Sequence, residues 1–438
     1  MAGATRIITP DKVRPLQIAL YRKAKAEPKY RFWSLYGEVT RREVLAAALR
    51  AQLQNNGVAG VDGETLASIN ATPSSCQQWL DRLQAELKAK TYRASPVRRV
   101  MIPKSGGAER PLGIPTVKDR VVQMAVYLVL MPVWEADFHP QSYGFRPKRQ
   151  AQQAIEAVNR AVRQGYVEII DADLSKYFDT IPHGRLMKAV AKRVSDGTVL
   201  RLIKSWLRAP VVEENRAGGK RVIPNRCGTP QGGVISPLLA NLYLDPLDHG
   251  VNETSSGQAR MVRYADDFVI TCRPGQSPGL LARLKVWLKA KGLTLNEGKT
   301  RVVDIHQQGI DFLGFNLTWR QSRQGRGYLH VEPGRKSRRV LRERLRDILN
   351  HGTLWRPSHE VVGEMNRTLR GWAGYFHYRN STAVLGTLRR YSRNRLRRWL
   401  WRKHACRRGL WSYYTDDRLR EQYGLYELPI TAAWKAPR

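Results

Sequence analysis

The chain has 438 residues, with 75 Lys and Arg against 37 Asp and Glu, and its formal net charge of +38 opposes compact folding by self-repulsion. Ordinary metabolic enzymes have no need of such an excess, and a polyanion is the simplest partner for it; the length provides for roughly three domains. Cys76, Cys227, Cys272 and Cys406 form no Cys-x-x-Cys pair, which argues against a zinc ribbon and a disulfide framework, and the nine histidines form no His-Glu-x-x-His cluster, so carboxylates are left as metal ligands.

The first residues, Met1 to Arg6, lack the charged-then-apolar pattern of a secretory signal, so an intracellular chain is expected. Residues 13 to 54 read as helical, with Val44, Leu45, Ala48, Leu49 and Leu53 on one face, until Asn55 to Gly63 break the pattern. Cys76 to Lys90 is another amphipathic helix. Pro96 to Pro103 reads as a strand bounded by prolines, and the Gly106-Gly107 turn followed by Arg110 to Pro115 completes a hairpin. Lys104 and Arg110 flank that turn, where cations either close over a triphosphate or remain solvated turn charges. Val121 to Trp134 is apolar but interrupted by Gln123 and Pro132; it is too short to span a bilayer and reads as a buried helix, so no membrane partner is expected.

Val167 to Leu174 has the β-branched content of a buried strand, yet it ends in Asp171 and Asp173, which a core could not hold uncompensated. Capping or pairing with Lys176 suits Asp171. Further on, Cys227 to Leu242 is a glycine-rich loop opening a helix that is apolar nearly all round and must be buried. Its glycines permit close backbone approach by a ligand, and Gln231 stands where an incoming nucleotide or its template base could meet it.

Tyr264-Ala265-Asp266-Asp267 lies between two apolar runs, at the tip of a β-hairpin. Neighbouring anions repel, and a shared proton or a bound divalent cation relieves them. An Asp-Asp turn alone is commonplace. Beside the strand ending at Asp173 it becomes informative, because Asp173, Asp266 and Asp267 could then surround two Mg²⁺ ions, with Mn²⁺ as a substitute. In that two-metal arrangement one ion activates a primer 3′-hydroxyl and the other neutralises a triphosphate.

Past Gly334 the composition shifts: arginines crowd residues 335 to 346 and 389 to 408. Leu341, Leu345 and Leu349 mark one helix and Val361, Met365, Leu369 and Trp372 another, as in a small helical bundle. Outward arginines interleaved with Trp399, Trp401, Trp411 and Tyr413 suit a phosphate backbone with unstacked bases.

Taken in order, the chain resembles the group II intron-encoded reverse transcriptases, also called maturases. Seven blocks carry the likeness: Gly60 to Gly63, Ile102 to Arg120, Ser142 to Pro147, Asp171 to Thr180, Gly228 to Asn241, Tyr264 to Asp267, and Phe312 to Phe315. The resemblance implies an α+β right-hand polymerase, its fingers and palm built on an antiparallel palm sheet with packed helices, followed by an α-helical thumb or maturase domain. The expected divisions are an N-terminal helical extension and the start of the fingers at 1–95, fingers and palm at 96–328, thumb at 329–415, and a short tail at 416–438, within which any DNA-binding remnant would have to lie.

The same resemblance implies roles. Asp173 rather than Asp171 is the metal ligand, because Phe178 falls where related polymerases place an aromatic gate against a ribose 2′-hydroxyl. Lys104 and Arg110 contact the triphosphate, Gln231 borders the nucleotide pocket, Lys299 protonates the pyrophosphate leaving group, and Phe312 to Phe315 support the primer terminus. The implied activity is RNA-directed DNA synthesis that copies the intron during target-primed mobility, joined to assistance in its splicing. Structured group II intron RNA, an RNA template with a DNA primer or target DNA, and deoxynucleoside triphosphates are the implied partners, in a bacterial cytoplasm. A splicing-only maturase and a reverse transcriptase domesticated for defence or repair are the alternatives. With no Cys-rich HNH segment before Arg438, cleavage of a second DNA strand is not expected.

Overall fold

The computed structural model describes residues 12–103, 109–214, 219–255, 257–407 and 409–431. Lys104 and the Gly106-Gly107 turn lie outside them. The architecture is α+β, with three sheets among the described residues.

In the first sheet the strands run in the order Glu109–Ile114, Val97–Pro103, Val211–Glu214, Lys220–Ile223. The expected hairpin is there, antiparallel from Arg98 opposite Ile114 to Pro103 opposite Glu109. A parallel pairing of Val97 to Arg99 with Val211 to Glu213 extends it. Nothing local in the sequence signals that pairing, since its partners are brought together by the rest of the fold.

A second sheet has the order Ala259–Tyr264, Asp267–Cys272, Glu168–Ala172, Arg301–Asp304, so the acidic strand neighbours the Asp-Asp hairpin as expected. Two residues connect the hairpin strands, which obliges them to be antiparallel. The third sheet pairs Phe315–Gln321 in antiparallel fashion with Gly327–Pro333 on one side and Ile310–Phe312 on the other.

The chain divides into two compact units, one of residues 1–150, 172–270 and 276–301 and the other of 151–171, 271–275 and 302–438. In the first, Val117–Glu135 is the central helix, and Arg14–Ala26 and Arg42–Asn55 pack on it. It is buried on every side because it is apolar on every side. Asp119 fixes its start: its backbone N–H donates to Thr116 Oγ1 at 3.1 Å, and the hydroxyl returns a bond to the carboxylate at 2.7 Å. The single helical stretch expected over 13 to 54 is in fact three helices, Arg14–Ala26, Tyr36–Val39 and Arg42–Asn55. Pro28 ends the first, since it supplies no N–H and disfavours helical geometry at Glu27. Arg193 satisfies the carbonyls left over, donating to Ala24 at 2.8 Å and Glu27 at 2.9 Å.

In the second unit the helices Arg335–Ile348, Ser358–Phe376 and Thr382–Lys403 enclose a core of Leu341, Leu345, Leu349, Val361, Met365 and Leu369, as the apolar stripes require. Two expectations are corrected there. Trp399 is core rather than an outward ring, and its indole N–H donates to Thr353 Oγ1 at 3.0 Å. Leu419, Leu425 and Leu428, from the segment expected as a tail, join the same core. With them come Asp416 and Glu427, which pair with Arg393, Arg397 and Arg389 and so neutralise part of the basic cluster. Phe312 and Phe315 are also buried, Phe315 against Tyr375 and Phe376, so their rings serve packing. No helix among the described residues is long and apolar enough to cross a membrane.

Candidate active site

The tip of the Asp-Asp hairpin adopts a conformation that its sequence alone resists. Ala265 has φ of 62°, in the left-handed region that a residue with a Cβ seldom enters. Arg263 holds it there. Fully buried, its guanidinium donates from Nε to both Asp248 carboxylate oxygens at 2.8 and 3.0 Å, and from Nη1 to Asn241 Oδ1 at 2.8 Å and the Ala265 carbonyl at 2.9 Å. Asn241 in turn donates to the Gly144 carbonyl at 2.7 Å. Gly144 sits so close to the turn that an added Cβ would lie 2.3 Å from the Ala265 nitrogen, so only glycine fits. The segment carrying Gly144 is pinned to the hairpin by Tyr143 N–H to Arg263 O at 2.8 Å and Arg263 N–H to Gln141 O at 3.0 Å.

Asp266 is half-buried at this tip. Burial, and secondarily the charge of Asp173, raises its carboxyl above the ordinary value, while Arg110 and Arg263 oppose the rise. Asp173 is therefore near enough for its charge to be felt. Its Oδ2 accepts from Asn296 Nδ2 at 3.0 Å and lies 3.3 Å from Lys299 Nζ, and its carbonyl accepts from the Asn296 N–H at 2.8 Å. Asp267 begins the next strand with its side chain exposed. Among the described residues no three His, Cys, Asp or Glu side chains are gathered closely enough to hold a metal ion. The donor chemistry nevertheless fits a hard divalent cation: the donors are carboxylate oxygens, and a cation would offset both the burial of the Asp266 charge and its repulsion by Asp173.

A second group of residues is gathered around the glycine-rich loop. Tyr177 is buried with its hydroxyl donating to Ala240 O at 2.6 Å, which anchors the segment carrying Phe178 and Asp179. The glycine-rich loop is tied to that segment by Gly228 N–H to Ile181 O at 2.8 Å and Thr229 N–H to Phe178 O at 2.7 Å. His183 adds a bond to the Gly228 carbonyl at 2.7 Å, and burial lowers its pKa. Gly228, with φ of 83°, has no room for a Cβ, which would lie 2.7 Å from the Phe178 and Asp179 carbonyls. The loop and the edge of the first sheet meet at Gly113 N–H to Gln231 O, 2.6 Å. Gln231 then makes two side-chain bonds, accepting from Arg110 Nε at 2.6 Å and donating to Asp179 Oδ1 at 2.8 Å.

Of the residues expected from sequence, the structure brings Asp173, Asp266 and Lys299 into one electrostatic group, and Arg110 and Gln231 into direct contact. Phe178 lies on the segment tied to the Gln231 loop. Sequence reasoning missed Arg263, Asp248 and Asn241. Arg263 precedes the Tyr-Ala-Asp-Asp run by one residue, and an arginine inside an apolar strand was the available signal, because a buried charge demands a partner. Asp179 was missed too: it reads as an ordinary turn acid until Gln231 is seen beside it.

Comparison with known proteins supplies the family. The family of reverse transcriptases (RNA-dependent DNA polymerases) matches residues 102–317, and the group II intron maturase-specific domain matches residues 338–414. Protein YkfC of Escherichia coli is 35% identical over 354 residues, covering 72% of this chain and 90% of its own length. The group II intron-encoded protein LtrA of Lactococcus lactis is 32% identical over 220 residues, covering 50% of this chain and 35% of that protein. An uncharacterized 91 kDa protein in a cob intron of Schizosaccharomyces pombe is 26% identical, covering 68% of this chain and 45% of that one. The chain thus spans most of the first relative and less than half of the other two.

Proposed function

From a chain that belongs to the group II intron-encoded reverse transcriptases, and so is an RNA-directed DNA polymerase joined to a maturase domain, we propose a protein that binds its structured intron RNA, assists its splicing, and copies it into DNA from a primer at the target site. The observation that carries the catalytic part is the strand order that sets Glu168–Ala172, which leads to Asp173, beside the hairpin strand that begins at Asp267.

Two Mg²⁺ ions, or Mn²⁺ in their place, held by Asp173, Asp266 and Asp267 would supply charge neutralisation for the primer oxygen and the triphosphate. The remaining steps belong to side chains. Arg110 binds triphosphate oxygens through its guanidinium, whose planar donors match phosphate geometry. Lys104 is assigned to the same triphosphate by its charge. Gln231 lines the nucleotide position between Arg110 and Asp179, and the Phe178 ring excludes a ribose 2′-hydroxyl. Lys299 Nζ, 3.3 Å from Asp173, is the proton donor for the departing pyrophosphate. The basic surface of the helical unit holds phosphates of the intron by charge, so its affinity falls steeply with salt.

Primer extension by the purified protein on an RNA template, with sequencing of the RNA that copurifies with it, tests this reading. Extension with deoxynucleotides and recovery of intron RNA are expected. RNA recovery without extension would replace the reading by that of a splicing-only maturase, and extension without intron RNA by that of a domesticated polymerase.

A further inference from the structure

Gln231 is held by two partners that leave its amide one orientation. Arg110 Nε donates to Oε1 at 2.6 Å, and Nε2 donates to Asp179 Oδ1 at 2.8 Å. A guanidinium has only donors and an ionised carboxylate only acceptors, so exchanging the amide oxygen and nitrogen would set donor against donor and acceptor against acceptor. We propose that Asp179 is a positioning residue for the incoming nucleotide: it fixes the Gln231 amide, and through it the Arg110 guanidinium, in the pose that receives the nucleotide. This rests on the polymerase reading above and goes beyond it, because Asp179 acts without contacting nucleotide or metal itself.

The surroundings support a positioning role over a packing one. Asp179 and Arg110 are exposed, so their chain of bonds contributes little to the stability of the unit. The backbone on both sides is nonetheless fixed: Asp179 N–H donates to Lys176 O at 2.9 Å, Cys227 Sγ approaches the Asp179 carbonyl at 3.4 Å, and Thr229 N–H binds the adjoining Phe178 carbonyl at 2.7 Å. The carboxylate is thus presented from a rigid segment to one amide. A long arginine on a strand end would otherwise sample many rotamers, and ordering it before the nucleotide arrives spares that entropy at binding.

The test is steady-state primer extension by the full chain with Asp179→Asn, Gln231→Ala and the double variant, each checked for unchanged RNA affinity and thermal midpoint. The Asp179→Asn change puts an amide opposite Gln231, with a donor as well as an acceptor, so it can no longer enforce one orientation of the Gln231 side chain. The KM for deoxynucleotide is expected to rise by roughly tenfold, as for loss of one charge-assisted hydrogen bond, with the fall in kcat the smaller of the two. In the Gln231→Ala background the same Asp179 change is expected to have almost no further effect, since its lever is gone. Full additivity, or a kcat loss at unchanged KM, would overturn the proposal while leaving the polymerase reading intact. Absence of extension by the unaltered chain would overturn both.

Discussion

Arg263 offers the sharpest mutational test of how the hairpin tip is built. Its side chain is 0% exposed and that of Asp248 1%, so the pair is wholly desolvated, and the guanidinium also serves Asn241 and the Ala265 carbonyl. Replacing Arg263 with Met strands the Asp248 charge, and breaking a buried pair from one side costs about 3–5 kcal/mol. The lost donor to Ala265 O adds about 1 kcal/mol. Arg263→Met is therefore expected to lower the stability of the unit that carries it by about 4–6 kcal/mol, read in urea as a lowered unfolding midpoint. Arg263→Lys keeps the charge but cannot make the fork, and should fall between. The double variant Arg263→Met, Asp248→Leu should be less destabilised than the sum of the single changes, because no charge is left alone. Hydrogen exchange across residues 259–272 should rise in Arg263→Met, and primer extension should fall further than the folded fraction does. A variant within about 1 kcal/mol of the parent with normal extension would refute the claim that this buried network sets the turn.

Two other perturbations follow from named groups. Burial pushes the Asp245 carboxyl from an ordinary 3.8 up to about 6, with the nearby Asp248 charge adding to it and His249 opposing. A carboxyl raised on folding contributes stability that is full below its ordinary value and is lost as pH rises through about 6. Asp245→Asn keeps an acceptor for the His139 N–H and cannot ionise, so it should be the more stable protein at pH 7.5, by at most ~3 kcal/mol, with the gap closed near pH 4; an unchanged gap across that range in urea titrations would count against the assignment. Phe178→Ala should raise ribonucleotide incorporation relative to deoxynucleotide by on the order of tenfold or more, measured by competition in primer extension, and unchanged selectivity would remove Phe178 from the sugar site.

What the sequence made legible was whatever rests on local pattern. The Pro96 hairpin, the helix around Val121 to Trp134 and the apolar stripes of Arg335–Ile348 and Ser358–Phe376 could be read because periodicity and prolines act within a few residues. The Asp-Asp hairpin and the strand before Asp173 were legible as neighbours in one sheet because carboxylates at strand ends demand compensation. What stayed hidden depends on partners far along the chain. Arg263 with Asp248, Asp179 with Gln231, and Asp416 with Arg393 and Arg397 are each pairs whose members look unremarkable alone. Trp399 was misread because arginines on both sides of a tryptophan suggest an outward face, whereas on a helix the neighbours of a buried ring point elsewhere. Pro28 was an available signal for the break in the first helical stretch, and the apolar periodicity on either side masked it.

The central claim is that acidic side chains at the hairpin tip perform polymerisation while a separate basic surface holds RNA. Asp266→Asn, assayed in parallel for primer extension and for RNA affinity, tests it most directly. Extension should fall by on the order of a thousandfold or more with RNA affinity within about twofold of the parent. Extension that survives the change, or RNA binding that collapses along with it, would contradict the account.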